Sequence, residues 1–129
     1  MVHTYYYDTN YPGPAFPTVR VLLQNIANSN LITEATAYVD SGADGTIIPL
    51  TLLQQIGARK VDEMTLRWGS GPKQRVDIYE VLLQIATYRP QKIYAVGDRH
   101  EPQIILGRDV INLFVVTLDG LAGAVEVSQ

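Results

Sequence analysis

The sequence predicts an all-β fold, and three observations carry that prediction. Short runs rich in β-branched and aromatic residues recur along the chain, turn-forming clusters separate them, and helical periodicity is scarce. Many short strands punctuated by turns favour a barrel or sandwich over an alternation of strands and helices. With 129 residues, 47% of them hydrophobic, the chain has material for one core and hardly for two. Residues 18–129 are therefore expected to form a single all-β domain, a barrel or a sandwich, preceded by an irregular N-terminal arm at residues 1–17.

The arm prediction rests on three consecutive tyrosines, Tyr5 to Tyr7, followed by Pro12, Pro14 and Pro17, because proline removes the donor that a ladder needs. Such an arm either crosses a surface or partner subunit, or packs on its own barrel. From Thr18 the pattern turns to strands. Val19–Gln24 and Leu31–Val39 flank the turn-forming Asn28-Ser29-Asn30 and read as a hairpin. The second run alternates Leu31, Thr33, Ala35, Ala37 and Val39 with Ile32, Glu34, Thr36 and Tyr38, so its two faces cannot both be core. Pro49–Ile56 is the best helix candidate, with proline near its first turn and Gly57 placed to end it.

A further hairpin is expected from Val61 to Trp68, returning through Gln74 to Ala86. Its tip, Trp68-Gly69-Ser70-Gly71-Pro72-Lys73, has the glycines and proline of a projecting turn. Short strands follow near Lys92–Val96, Gln103–Leu106, Phe114–Leu118 and Gly123–Val127, with a helical turn over Arg108–Leu113. That turn is too short to stand without tertiary packing.

Composition narrows the chemistry. The chain has no cysteine, which excludes disulfide scaffolds, thiolate metal sites and cysteine nucleophiles. Its formal charge is -3, from 10 Lys and Arg against 13 Asp and Glu, with no basic block; nucleic acid is not an expected partner. The first residues form neither a basic nor a long apolar leader, and no run approaches the roughly 18 apolar residues of a membrane span. A soluble, cytoplasmic protein without a membrane partner is expected.

The passage richest in chemistry is Ala37-Tyr38-Val39-Asp40-Ser41-Gly42-Ala43-Asp44, an apolar strand running into a carboxylate, a hydroxyl and small residues. By local pattern alone this is an Asx-type turn more often than a reaction centre. A second segment changes the balance. Asp40-Ser41-Gly42-Ala43 resembles the Asp-Thr/Ser-Gly-Ala signature of aspartic peptidases. Ile104-Ile105-Leu106-Gly107-Arg108-Asp109 resembles the second segment of the retroviral-type, or retropepsin-like, branch. The tip from Trp68 to Lys73 lies between them, where that family carries its flap. The resemblance covers roughly Thr18 to Asp119, although Pro72 and Lys73 depart from the apolar glycine-rich tips of viral members.

The resemblance implies a closed acid-protease barrel of the retropepsin type, with one or two short helices and a twofold dimer. It assigns Asp40 as the catalytic carboxylate. Ser41, Gly42, Ala43, Asp44, Gly107 and Arg108 become active-site support: Ser41 to lock two loops across the dimer, Gly42 to allow close backbone approach, Ala43 to line the wall, and Arg108 to pair with Asp44. Residues Trp68, Gly69, Ser70, Gly71, Pro72 and Lys73 form the candidate flap. The implied activity is peptide hydrolysis by water between two carboxylates, one protonated and one ionised. The chain carries one such signature, so a second copy must supply the other. No cofactor or metal is called for, and an extended peptide or protein is the expected substrate.

Other readings of the same residues are weaker. A serine triad on Ser41 would need His3 or His100, one near the start and one in a polar loop. Asp98-Arg99-His100-Glu101 lacks a three-ligand metal pattern and reads as a charged, solvent-facing loop. Asp109 either caps the short helix or faces solvent, and Tyr79 is either core or subsite wall. The rival function is a noncatalytic binding or dimerisation module that keeps the barrel.

Overall fold

Alternation organises the first hairpin. Strands β1 (His3–Tyr6), β2 (Thr18–Gln24) and β3 (Ile32–Val39) open the chain. Val19, Val21 and Leu23 of β2 are buried, while Arg20 between them faces out and pairs with Glu34 and Thr36 on β3. Asn25, just past β2, donates from Nδ2 to the carbonyls of Ile56 and Gly57 and accepts the Ala27 and Asn28 amides on Oδ1. One side chain thus shapes the turn and satisfies carbonyls at a helix end.

That helix, α1 (Leu50–Gln55), follows β4 (Ile47–Pro49). Leu53 and Ile56 are buried, and Gly57 ends the turn with φ of 61°, a conformation for which glycine carries no Cβ penalty. Strands β5 (Arg59–Arg67) and β6 (Lys73–Ile85) form the long hairpin, and β7 (Gln91–Asp98) and β8 (Ile104–Leu106) follow. Helix α2 (Arg108–Ile111), β9 (Val115–Asp119) and β10 (Ala124–Ser128) complete the chain. This computed structural model describes residues 1–67 and 69–129.

Seven strands run in the order β2-β3-β8-β4-β7-β6-β5, and β2 also pairs with β6. The extra pairing closes six of them into a barrel and leaves β5 projecting on β6. Most pairings are antiparallel, but β3 runs parallel to β8 and β4 parallel to β7. The core fills this barrel with Leu23, Val39, Ile48, Leu83, Ile104 and Leu106 among others. A second sheet, β1-β10-β9, packs Val125 and Val127 into the same core.

Two elements differ from the sequence expectation. The arm at residues 1–17 is not irregular throughout, because His3 to Tyr6 pair with Val127 to Ala124 on β10. The prolines all lie downstream of β1, and its residues alternate half-buried and exposed as a strand requires. Beyond Tyr6 the Tyr7 amide donates to the Gly123 carbonyl, and an isolated bridge joins Asp8 and Phe16. Strand β4 is the other difference: three residues are too few to show period two, and Pro49 at its end masks it.

Candidate active site

Sheet register brings the two separated motifs together. On the parallel pair β3–β8, Ala37, Tyr38 and Val39 lie beside Ile104, Ile105 and Leu106. The next residues along each strand are Asp40 and Gly107, and the Asp40 amide donates to the Leu106 carbonyl at 3.0 Å. Past that point the chain turns. The Ala43 amide donates to the Asp40 carbonyl at 3.1 Å, and the Gly42 amide donates to Asp40 Oδ1 at 2.9 Å. Asp40 is partly exposed at the barrel mouth with one carboxylate oxygen held by its own turn.

The second motif clamps this turn. The Arg108 amide donates to the Ala43 carbonyl at 2.9 Å, its Nη1 donates to the Ser41 carbonyl at 2.7 Å, and its Nη2 donates to Asp44 Oδ1. One planar guanidinium thereby holds both ends of the Ser41–Asp44 segment, as its fork geometry allows. The Asp44 side chain is 94% exposed and that of Arg108 42%, so the ion pair is a positioning contact with little net stabilising energy.

Gly107 is required by space. A Cβ there would lie 2.5 Å from the carbonyl carbon and oxygen of Gly45, so the two backbones touch where any side chain would separate them. Gly42 is tighter than ordinary contact as well, since a Cβ would sit 3.1 Å from Asp40 Oδ1.

Thr46 is the residue that sequence reading missed. Fully buried, it donates its hydroxyl to Asp109 Oδ1 at 2.7 Å and accepts the Gly107 amide at 3.2 Å. Of the two expectations for Asp109, the cap is not formed, whereas the residue is exposed, with one carboxylate oxygen accepting the Thr46 hydroxyl. A threonine just before an apolar run gives no local signal of a contact 63 residues away.

The expected flap residues Gly69, Ser70, Gly71 and Pro72 connect β5 and β6, with Gly69 at φ of 59°. Lys73 is not part of the tip: it opens β6 and pairs with Arg67. Trp68 lies outside the described residues. Below the hairpin is a cavity of about 220 Å³, walled by Leu50, Tyr79, Gly97 and Asp98. A neighbouring one of about 350 Å³ is walled by Ile47, Gln74, Asp98, His100, Glu101 and Ile105. Tyr79 is thus a cavity wall, and Gly97 makes room for its ring, since a Cβ there would be 2.7 Å from Tyr79 Cε1. Asp98 accepts the His100 and Glu101 amides and closes its loop on itself.

On the outer face of β3, the Tyr38 hydroxyl donates to Asp8 Oδ2 at 2.5 Å, and the Tyr11 and Phe16 rings pack against the Tyr38 ring. The Asp8 hydrogen bond, followed by burial, raises the Tyr38 phenol above its ordinary value. The arm is therefore tied to the strand that leads into Asp40.

No protein-family model matches this chain, and no curated protein matches it. Solved structures do match. The EIAV protease complexed with the inhibitor HBY-793 aligns with a TM-score of 0.60 and 21% identity, covering 80% of this chain and 89% of that one. A retropepsin-like aspartic protease from Rickettsia conorii aligns with a TM-score of 0.61 and 13% identity, covering 98% of this chain and 91% of that one. The likeness is one of fold: a closed, mixed β-barrel with two short helices, of the retropepsin type.

Proposed function

We propose that this chain is one half of a twofold aspartic endopeptidase, with Asp40 as its catalytic carboxylate. The observation that carries the reading is the clamped turn: Asp40 leaves a buried strand, one oxygen accepts the Gly42 amide, and Arg108 and Gly107 fasten the turn from behind. A carboxylate so oriented supplies half of an acid–base pair. Asp40 of the partner subunit supplies the other half, and the two titrate jointly because both cannot readily be charged at close range.

In this mechanism a water lies between the two carboxylates. The ionised one accepts a proton as the water attacks the scissile carbonyl, and the protonated one donates toward the developing gem-diol oxygen. The gem-diol then collapses: the carboxylate that took the water's proton gives it to the amide nitrogen, the other, now ionised, takes a proton from a gem-diol hydroxyl, and the carbon–nitrogen bond breaks to release amine and acid. The β5–β6 hairpin covers an extended peptide, whose backbone sets register while the cavities below take side chains. Ser41, Gly42 and Ala43 line the reaction centre and Asp44 anchors Arg108.

The test is a peptide-library digest across acidic and near-neutral pH, comparing the chain with Asp40→Asn. Activity should disappear in the variant and, in the parent, should fall faster than linearly on dilution. Equal background cleavage by both, with folded dimers verified, would favour a noncatalytic dimerisation module. Undiminished specific activity from a monomer would sink the shared site.

A further inference from the structure

The two glycines that touch behind the elbow differ in kind. Gly107 is imposed by space, because a Cβ there would meet Gly45 main-chain atoms at 2.5 Å, whereas a Cβ on Gly45 itself would meet nothing within 4 Å. The φ of Gly45 also lies outside the left-handed region, so the fold does not require glycine at 45. What glycine leaves there is an unshielded amide nitrogen. Among the described residues that amide donates no hydrogen bond, and the residue before it is Asp44, whose side chain is 94% exposed. Of all the aspartates, only Asp44 and Asp119 precede glycine.

We propose that Asp44-Gly45 is a site of spontaneous covalent rearrangement, passing through a succinimide to isoaspartate. The Gly45 amide nitrogen attacks Cγ of Asp44 and a carbon–nitrogen bond forms. The hydroxyl of the protonated carboxyl leaves with the amide hydrogen as water, which closes the ring. Water then opens the ring at either carbonyl. Opening at the former backbone carbonyl gives isoaspartate, in which the chain continues through the old side-chain carbon and the old backbone carbonyl becomes the free carboxylate. The reaction needs no partner beyond water. A side chain at 45 would crowd the attacking nitrogen, and glycine supplies none.

One contact restrains Asp44. Among the described residues its carboxylate takes a single side-chain partner, Arg108, and an ion pair so exposed opens readily. Each opening frees the carboxyl to turn toward Gly45. The product carries an added main-chain carbon between residues 44 and 45. Both the Arg108 fork on Ser41 and Asp44 and the contact of Gly45 with Gly107 depend on the spacing of this segment. The rearranged elbow is therefore no longer clamped, and the chain inactivates as it ages. This consequence rests on the aspartic-peptidase reading, whereas the rearrangement is measured without substrate. Asp119-Gly120 serves as an internal reference, since it lies in the turn between β9 and β10 with Asp119 Oδ1 accepting the Ala122 amide at 3.0 Å.

The experiment ages the parent chain, Gly45→Ala and Asp44→Asn in mildly acidic to neutral buffer. Peptide mapping by mass spectrometry locates the loss of water, and an isoaspartyl methyltransferase labels the product. Melting curves should match for the parent and Gly45→Ala, because the added methyl enters open space. The parent should accumulate isoaspartate at residue 44, and Gly45→Ala should lower it at least about tenfold while leaving any at Asp119 unchanged. Asp44→Asn should lose ammonia through the same ring, which tests the geometry independently of the alanine variant. Absence of isoaspartate at residue 44 in the aged parent, equal amounts in the parent and Gly45→Ala, or an Asp44→Asn chain that keeps its ammonia would each overturn the site. Peptide cleavage that declines in step with conversion at residue 44, and not with conversion at residue 119, supports the inactivation; full activity after conversion overturns it. Conversion at residue 44 in a protein that never cleaves peptide would keep the modification site and remove the peptidase reading.

Discussion

The buried hydroxyl of Thr46 sits between the Asp109 carboxylate and the Gly107 amide, 2.7 Å from the first and 3.2 Å from the second. It joins the loop after Asp40 to the start of α2 inside the protein, while Arg108 joins the same two segments at the surface. The inner tie has the greater energetic weight. A buried donor left without a partner costs far more than an exposed ion pair contributes.

Thr46→Val keeps the side-chain shape and removes the hydroxyl, leaving the Gly107 amide and Asp109 without this contact. Stability should fall by about 1–3 kcal/mol, read as a lower midpoint in urea. Thr46→Ser should recover most of it. Equal stability of the valine variant and the parent would remove the hydroxyl from this role.

Much of this arrangement is legible in the sequence, and the rest is hidden for identifiable reasons. Asp40-Ser41-Gly42 and Gly107-Arg108 are short, chemically unusual strings inside apolar surroundings, so they stand out from residue order alone. The parallel β3–β8 register that joins them, and the contact of Thr46 with Asp109, depend on tertiary neighbours that no local period encodes. The strand at His3–Tyr6 is masked by prolines that lie beyond it, and β4 is shorter than one readable alternation.

Gly107→Ala tests the close approach of two backbones. The added methyl would meet Gly45 main-chain atoms at 2.5 Å, which cannot rotate aside as a side chain would. Overpacking of this sort costs about 1–3 kcal/mol or more. Peptidase activity should fall further than stability, because the displaced Gly45 lies in the loop that follows Asp40. A variant as stable and active as the parent would show that the contact yields without consequence.

Arg108→Lys separates charge from geometry. Lysine keeps the positive charge but cannot contact the Ser41 carbonyl and the Asp44 carboxylate with a rigid fork. The unfolding free energy should change by less than about 1 kcal/mol, given how exposed the pair is. The turnover number should drop at least about tenfold while KM changes little, since a loosened elbow misplaces the carboxylate more than it alters the cleft. A rise in KM alone would instead place Arg108 in substrate binding.

The tie between Tyr38 and Asp8 should appear in the alkaline limb of the stability curve. Its hydrogen bond to Asp8 raises the Tyr38 phenol in the folded chain. A group with a raised folded value gives its full contribution below the unfolded value, about 10 for tyrosine, and loses it as pH climbs through the folded one. Tyr38→Phe should therefore be less stable than the parent by about 1 kcal/mol near neutrality, and the gap should narrow at alkaline pH. Tyr5 is also raised, chiefly by burial, but it titrates in both proteins and cancels from the difference. Urea unfolding of the pair from about pH 8 to about pH 11 reads this directly. A gap that stays constant across that range would separate the arm's attachment from the ionisation of Tyr38.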